Sequence, residues 1–245
     1  VLQTPEGMSA SRGLKRLRKL DPEGTYDFNH VYLDSADMDG SLVTASTRAS
    51  ESGTAGGSAE GSRRIGLIDG GVDTSHRAFE PVRLHHFGCG GRQVASAHGT
   101  AVASLLAGKR GVGDVYVADV YCGEPAGGAV DAVAAGLGWM ARERIAVINV
   151  SLVGPRNALL ERAVRSLTAR GHVIVAAVGN DGPASPPLYP AAYDGVVGVT
   201  GVDGKHRVLI EACRGNHVDF AALGSDLSAA AQAPDQYVPV RGTSF

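Results

Sequence analysis

Ile145-Ala-Val-Ile-Asn-Val150 is a strand-length run that is apolar but for Asn149, and Val173-Ile-Val-Ala-Ala-Val178 is an unbroken apolar one. Between them Leu159, Leu160, Ala163, Val164 and Leu167 recur as one face of a helix, which Gly171 stops. Strand, helix, strand, with no hairpin-length turn between, predicts a right-handed crossover joining two parallel strands. Runs that are apolar throughout, rather than alternating, belong to strands covered on both faces. The same alternation extends outward. Ile65-Gly-Leu-Ile68, Val115 to Val120 and Val196 to Thr200 read as strands. Ala101 to Ala107, closed by Gly108, reads as a helix. A further helical face is made by Val130, Val133, Ala134, Leu137, Met140 and Ala141. The expected fold is therefore α/β: a three-layer domain with a mostly parallel central sheet and helices on both faces. No internal repeat is present.

Composition bounds the class. Of 245 residues, 44% are hydrophobic and 20% charged, which is globular usage. Glycine supplies 34 positions, about twice the average usage, so many turns and close backbone approaches are expected. Lys and Arg number 23 against 25 Asp and Glu, a net charge of −2 that gives no electrostatic case for nucleic acid or an anionic membrane. No apolar run approaches the roughly 18 residues of a bilayer span. Three cysteines are too few for a disulfide scaffold. Collagenous, disordered, membrane-spanning and cysteine-rich classes are excluded.

The chain divides into a short N-terminal extension over residues 1–45, a flexible linker over 46–63, rich in Ser, Gly, Thr and Ala, and the α/β domain over 64–245. In the extension, Leu14, Leu17 and Leu20 alternate with basic residues and Pro22 follows, which predicts a short amphipathic helix with a solvated cationic face. The chain does not begin with Met and opens on no hydrophobic leader, so its start reads as that of a processed form or a fragment.

In parallel sheets functional groups gather beyond the C-terminal strand ends. Asp69 follows the first strand in Asp69-Gly-Gly-Val-Asp73, Ser151 opens Ser151-Leu-Val-Gly154, and Asn180 ends Ala177-Val-Gly-Asn180. His98 opens a helix in His98-Gly-Thr-Ala-Val-Ala103, and the chain closes on Gly242-Thr-Ser-Phe245. Singly, each has an ordinary structural reading as a cap, an Asx turn or a surface group. Jointly they supply what acyl transfer needs: a hydroxyl nucleophile, an imidazole base, a carboxylate to orient it, and donors for an oxyanion.

These motifs, in this order, resemble the subtilisin-like serine proteases over roughly residues 64–245, and the Asp…His…Ser order is that family's. The resemblance implies a serine endopeptidase working through an acyl-enzyme. Ser244 would be the nucleophile, His98 the base held neutral by a helix N-terminus, and Asp69 its orienting carboxylate. The Asn180 side chain and the Ser244 amide would hold the oxyanion. Ser151, Leu152 and Gly154 would pair with an extended substrate, and Ala177 and Gly179 would line a specificity pocket. It implies a polypeptide substrate, no cofactor, structural calcium at most, export from the cytoplasm, and an inhibitory pro-segment whose tail residues 1–45 resemble.

Other signals point away from metal and nucleotide. His85 and His86 with Cys89 make only half a zinc site, and Ser35 to Ser46 is a poor calcium loop. The glycines of Gly108-Lys-Arg-Gly-Val-Gly113 match neither phosphate-binding pattern. Cys89 and Cys122 could form a disulfide, though buried free thiols are the favoured reading, and Cys213 has no assigned partner. Three departures from the family pattern stand out. Gly70 replaces a hydroxyl residue after Asp69; Val153 lengthens the substrate strand; and the chain ends one residue past Ser244. The last predicts a loosely held end and weak or absent activity, which leaves a catalytically dead peptide-binding domain as the alternative.

Overall fold

The structure, a computed structural model, describes residues 1–34, 36–38 and 62–245. The helices are α1 (Ala10–Leu20), α2 (Ala97–Ala107), α3 (Val130–Arg142) and α4 (Ala158–Thr168). The strands are β1 (Val31–Asp34), β2 (Ala36–Met38), β3 (Arg63–Asp69), β4 (Arg83–Phe87), β5 (Val112–Asp119), β6 (Gly128–Ala129), β7 (Val147–Val150), β8 (Leu152–Val153), β9 (Val173–Ala177), β10 (Val196–Val202), β11 (Phe220–Leu223), β12 (Leu227–Ala230) and β13 (Tyr237–Gly242).

Seven strands form one sheet in the order β11-β10-β9-β7-β3-β5-β4, and every pairing in it is parallel. Period-two alternation splits its side chains between two cores. Ile68 and Ala118 face α3 and α4, joining Leu137, Met140, Leu160 and Val164. Leu67, Val115 and Val117 face α2, joining Val102, Ala103 and Ala107. The three expected layers are therefore present. The chain leaves β3 toward β4 and β5 on one side, then returns to β7 on the other, so the sheet's direction of winding reverses at β3. A crevice opens at the carboxyl ends of strands where such a reversal occurs, and Asp69 is the last residue of β3.

Two small antiparallel sheets were not anticipated. One has the order β6-β1-β8, with a strand of the N-terminal extension in its middle; the other has the order β12-β13-β2. The hairpin of β12 and β13 corrects the expectation that no hairpin joins the strands. It is anchored by burial of Val238 and Val240 against Ala101 of α2. The basic run is helical, as expected, and begins earlier, at a Ser9 cap whose hydroxyl accepts from Arg12 N. The expected linker and the weak calcium-loop match fall mostly or wholly on residues 35 and 39–61, outside the described residues.

Cys89 and Cys122 are joined as a disulfide, which corrects the free-thiol reading. The sheet supplies the reason: β4 and β5 are neighbours, and the segments leaving their C-terminal ends bring the two Cα atoms within 5.1 Å. Cys213 is free and buried. The chain end is also held, contrary to expectation. Thr243 and Ser244 are each 6% exposed, continuing β13 under hydrogen bonds from neighbouring loops.

Candidate active site

Asp69 is fully buried, and its Oδ1 accepts from the Gly70 amide at 2.6 Å while lying 2.9 Å from His98 Nδ1. His98 is the second residue of α2 and is 5% exposed. Its approach depends on local features of the sequence. Ser96 caps α2 by accepting from Gly99 N at 2.9 Å, and its own amide donates to Gly71 O at 2.9 Å. Thr100 donates to Ser96 O at 2.7 Å and accepts from Asp73 N at 3.0 Å. Gly99 lies directly on the Gly70 and Gly71 carbonyls, where a Cβ would approach Gly71 O to 2.7 Å. Glycine at 99 thus lets the helix press its imidazole against the strand end. Gly70 has a similar cause: a side chain there would collide with Ser96, whose Cβ would be 2.7 Å away.

Two forces act on the His98 proton. Burial disfavours the imidazolium, while the Asp69 charge and hydrogen bond favour it, with a smaller contribution from Asp34. The balance lies above the ordinary imidazole value, so the Asp69 charge and hydrogen bond outweigh burial. His98 Nε2 has no hydrogen-bond partner among the described residues.

Ser244 precedes Phe245, whose ring centroid lies 5.4 Å from that of His98. The Ser244 hydroxyl donates to Ser151 O at 3.3 Å, and the Ser151 hydroxyl donates to Ser244 O at 3.1 Å. Asn149 Nδ2 in turn donates to Ser151 Oγ at 2.7 Å. The structure thus brings Asp69 and His98 into contact and ties Ser244 to Ser151; no His98–Ser244 hydrogen bond is among those described. Asn180 accepts from Thr243 N at 3.1 Å through Oδ1, so its Nδ2 is the end that donates. Gly179 N donates to Thr243 Oγ1 at 3.1 Å. These two bonds fasten the Ala177-Val-Gly-Asn180 segment to the segment carrying Ser244. Gly179 has φ +102°, a left-handed conformation, and packs on Leu188 and Cys213; Ala177 is buried at the end of β9.

Leu152 and Val153 form β8, which pairs antiparallel with Asp34 and Leu33. On the other side Gly128 and Ala129 of β6 pair with Tyr32 and Val31. β1 therefore runs between two strands of the domain, and β2 pairs with β13, with Ala36 opposite Gly242. Tyr32 is fully buried; its hydroxyl donates to Pro155 O at 2.6 Å, and its ring lies against Gly154, where a Cβ would approach it to 2.6 Å.

Sequence reasoning missed the residues that hold this extension. Asn157 is fully buried; Oδ1 caps α4 at Leu159 N, and Nδ2 donates to Phe28 O at 2.8 Å. Ala158 N donates to Asp27 Oδ2 at 2.9 Å, and Asp131 N donates to Asn29 Oδ1 at 3.2 Å. The extension thus satisfies amides at the N-terminal ends of both α3 and α4. An Asn just before the helical stripe at Leu159 was the available signal for the cap. Of the two histidines weighed as zinc ligands, His85 stacks on Tyr116 and meets Asp114 at 2.8 Å, while His86 lines a cavity beside Asp119.

The profile of the subtilase family matches residues 62–245. Subtilisin DY of Bacillus licheniformis is 31% identical over 189 residues, which cover 71% of this chain and 65% of that protein. Subtilisin BL of Lederbergia lenta is 34% identical over 163 residues, 62% of this chain and 60% of that protein. The chain spans less than two thirds of the length of these curated relatives. A solved cold-adapted subtilisin-like serine proteinase matches with a TM-score of 0.65 at 26% identity, over 74% of this chain and 69% of that one. A parallel sheet that reverses at Asp69, an imidazole pressed on that carboxylate, and a profile matched across the whole sheet lead to one assignment: the chain belongs to the subtilase family.

Proposed function

We propose that this chain is the peptidase unit of a serine endopeptidase, with its N-terminal extension in the substrate cleft. Ser244 attacks the scissile carbonyl, His98 takes its proton through Nε2 and returns it to the leaving amine, and Asp69 steadies the imidazolium. To reach His98 the Ser244 hydroxyl gives up its bond to the Ser151 carbonyl. Asn180 Nδ2 and the Ser244 amide stabilise the oxyanion, a donor of this kind contributing about 3–4 kcal/mol to the barrier reduction. Ser151 to Gly154 receives peptide backbone. No metal or cofactor enters this scheme, and on this reading the enzyme works outside the cytoplasm. Among the described residues no helix is long and apolar enough to cross a membrane.

The observation that carries the reading is the position of β1. A stretch of the protein's own chain pairs on both edges as an extended peptide would, ends beside His98 and Asp69, and resumes as β2 against β13, which leads to Ser244. On this reading the inhibitory pro-segment within residues 1–45 ends near Ser35, and the first bonds cut are those flanking Ser35, upstream of the 46–63 segment. Intact-mass analysis of the purified chain tests this. The expected result is a cut between Asp34 and Ala36 that is absent in Ser244→Ala, together with fluorophosphonate labelling of Ser244. An uncut, unlabelled chain that still binds extended peptides would overturn proteolysis in favour of a peptide-binding domain.

A further inference from the structure

Asp119, at the end of β5, is a buried carboxyl group for which the peptide chemistry has no use. It is 7% exposed. Its Oδ1 accepts from Tyr121 N and Cys122 N at 3.0 and 2.9 Å, while Oδ2 has no hydrogen-bond partner among the described residues. A carboxylate oxygen of Asp119 and the sulfurs of Cys89 and Cys122 all lie within 4.8 Å of one another. These three residues line a cavity of about 440 Å³, bounded also by Phe87, Val94 and Ala132. Cys89 and Cys122 are only half-buried, so a small molecule entering the cavity meets the disulfide with the acid beside it.

We propose that Cys89, Cys122 and Asp119 form a thiol-exchange site, in which Asp119 is the proton donor to the departing sulfur. The partner class is a small thiol. Its thiolate attacks Cys89 Sγ; the S–S bond breaks, its electron pair passes to Cys122 Sγ, and that sulfur takes the Asp119 proton. A second thiolate attacks the small-thiol sulfur of the mixed disulfide, releasing Cys89 as thiolate, which takes a proton from solvent. The net change is two cysteine thiols formed and two small thiols oxidised to their disulfide. Asp119 is suited to the task. Burial, its leading influence, disfavours the charged form, and the nearby Asp69 charge acts in the same direction. The Tyr121 and Cys122 amides and His86 oppose this, and burial itself holds His86 below the ordinary imidazole value.

The disulfide joins the two segments that support the candidate active site. Cys89 begins the stretch leading to Ser96, the cap of α2, whose amide is held by Gly71 O. Asp119 packs on the other side of Gly71, where a Cβ would meet its Oδ2 at 2.8 Å. Opening the bond therefore loosens the first turn of α2 and with it the His98–Asp69 contact. This consequence rests on the peptidase reading; the chemistry at sulfur does not.

The test is the rate of reduction of the full chain by dithiothreitol, read by alkylation and mass spectrometry from neutral to alkaline pH. Asp119→Asn keeps an acceptor for the two amides and removes the proton. It should slow reduction at neutral pH about 10-fold or more, and its profile should follow the ionisation of dithiothreitol alone. Equal rates and profiles in both proteins overturn the proposal. Should the variant fold poorly, the wild-type profile, extended to mildly acidic pH, decides: an inflection beyond those of the reductant supports the acid, and its absence refutes it. Hydrogen exchange in residues 97–100 reads the coupling without requiring activity. It should rise on reduction and in Cys89→Ser/Cys122→Ser, and unchanged exchange would sever the link to His98.

Discussion

At the scale of single residues, Asp69 sets the proton affinity of His98 against the pull of burial. The sign of the consequence follows from the raised value. The pair stabilises the fold fully below about pH 6.5, the unfolded imidazole's value, and that contribution is lost as pH rises through the higher folded value. Catalysis needs the opposite form, so Ser244 labelling should increase with pH through an inflection above 6.5. Asp69→Asn should move that inflection down and slow labelling about 10³–10⁴-fold. A profile that does not shift would remove Asp69 from its role. Gly99 makes a second prediction. A methyl group there meets two backbone carbonyls that cannot yield, so Gly99→Ala should destabilise by about 2–3 kcal/mol in denaturant melts and disrupt labelling as well. A melt within about 0.5 kcal/mol of wild type would show that the helix does not need so close an approach.

At the scale of elements, Asn157 joins two jobs that substitution can separate. Asn157→Asp retains the acceptor that caps α4 and loses the donor to Phe28 O; Asn157→Ala loses both. The alanine variant should be the less stable by about 1 kcal/mol, while both should expose residues 27–32 to hydrogen exchange. Protection of that stretch in both variants would show that the extension is held by other contacts. This division also explains what the sequence could reveal. β7, α4 and β9 were legible because each makes a sustained pattern that burial on both faces demands. The positions of Asp69, His98 and Asn180 in the fold were legible because their short motifs sit at strand ends or helix starts. β1, β2, β6 and β8 are two to four residues long and carry no period, since what orders them is pairing with chain distant in sequence. The Cys89–Cys122 pairing was disfavoured for a related reason: 33 positions separate the two cysteines, and only the adjacency of β4 and β5 brings them together.

At the scale of the molecule, the extension and the domain share one core, because Tyr32 belongs to the same buried cluster as Ile68, Leu137 and Ile174. On the peptidase reading the cleft is therefore filled by a side chain that contributes to packing, and opening it has an energetic cost. Truncating a buried aromatic residue costs about 3–5 kcal/mol, although part is recovered where the site collapses or water enters. Tyr32→Ala should accordingly shift the extension toward release and raise the rate of Ser244 labelling about 100-fold, since each 1.4 kcal/mol is worth about a factor of ten. Tyr32→Phe removes only the hydroxyl bond to Pro155 O, so its effect should stay near fivefold, in line with about 1 kcal/mol for one such bond. The ordering of the two variants is the discriminating result. If both label as slowly as wild type while the extension still exchanges with solvent more readily, then β1 does not guard the nucleophile. The cleft would then be closed by something other than the peptide lying in it.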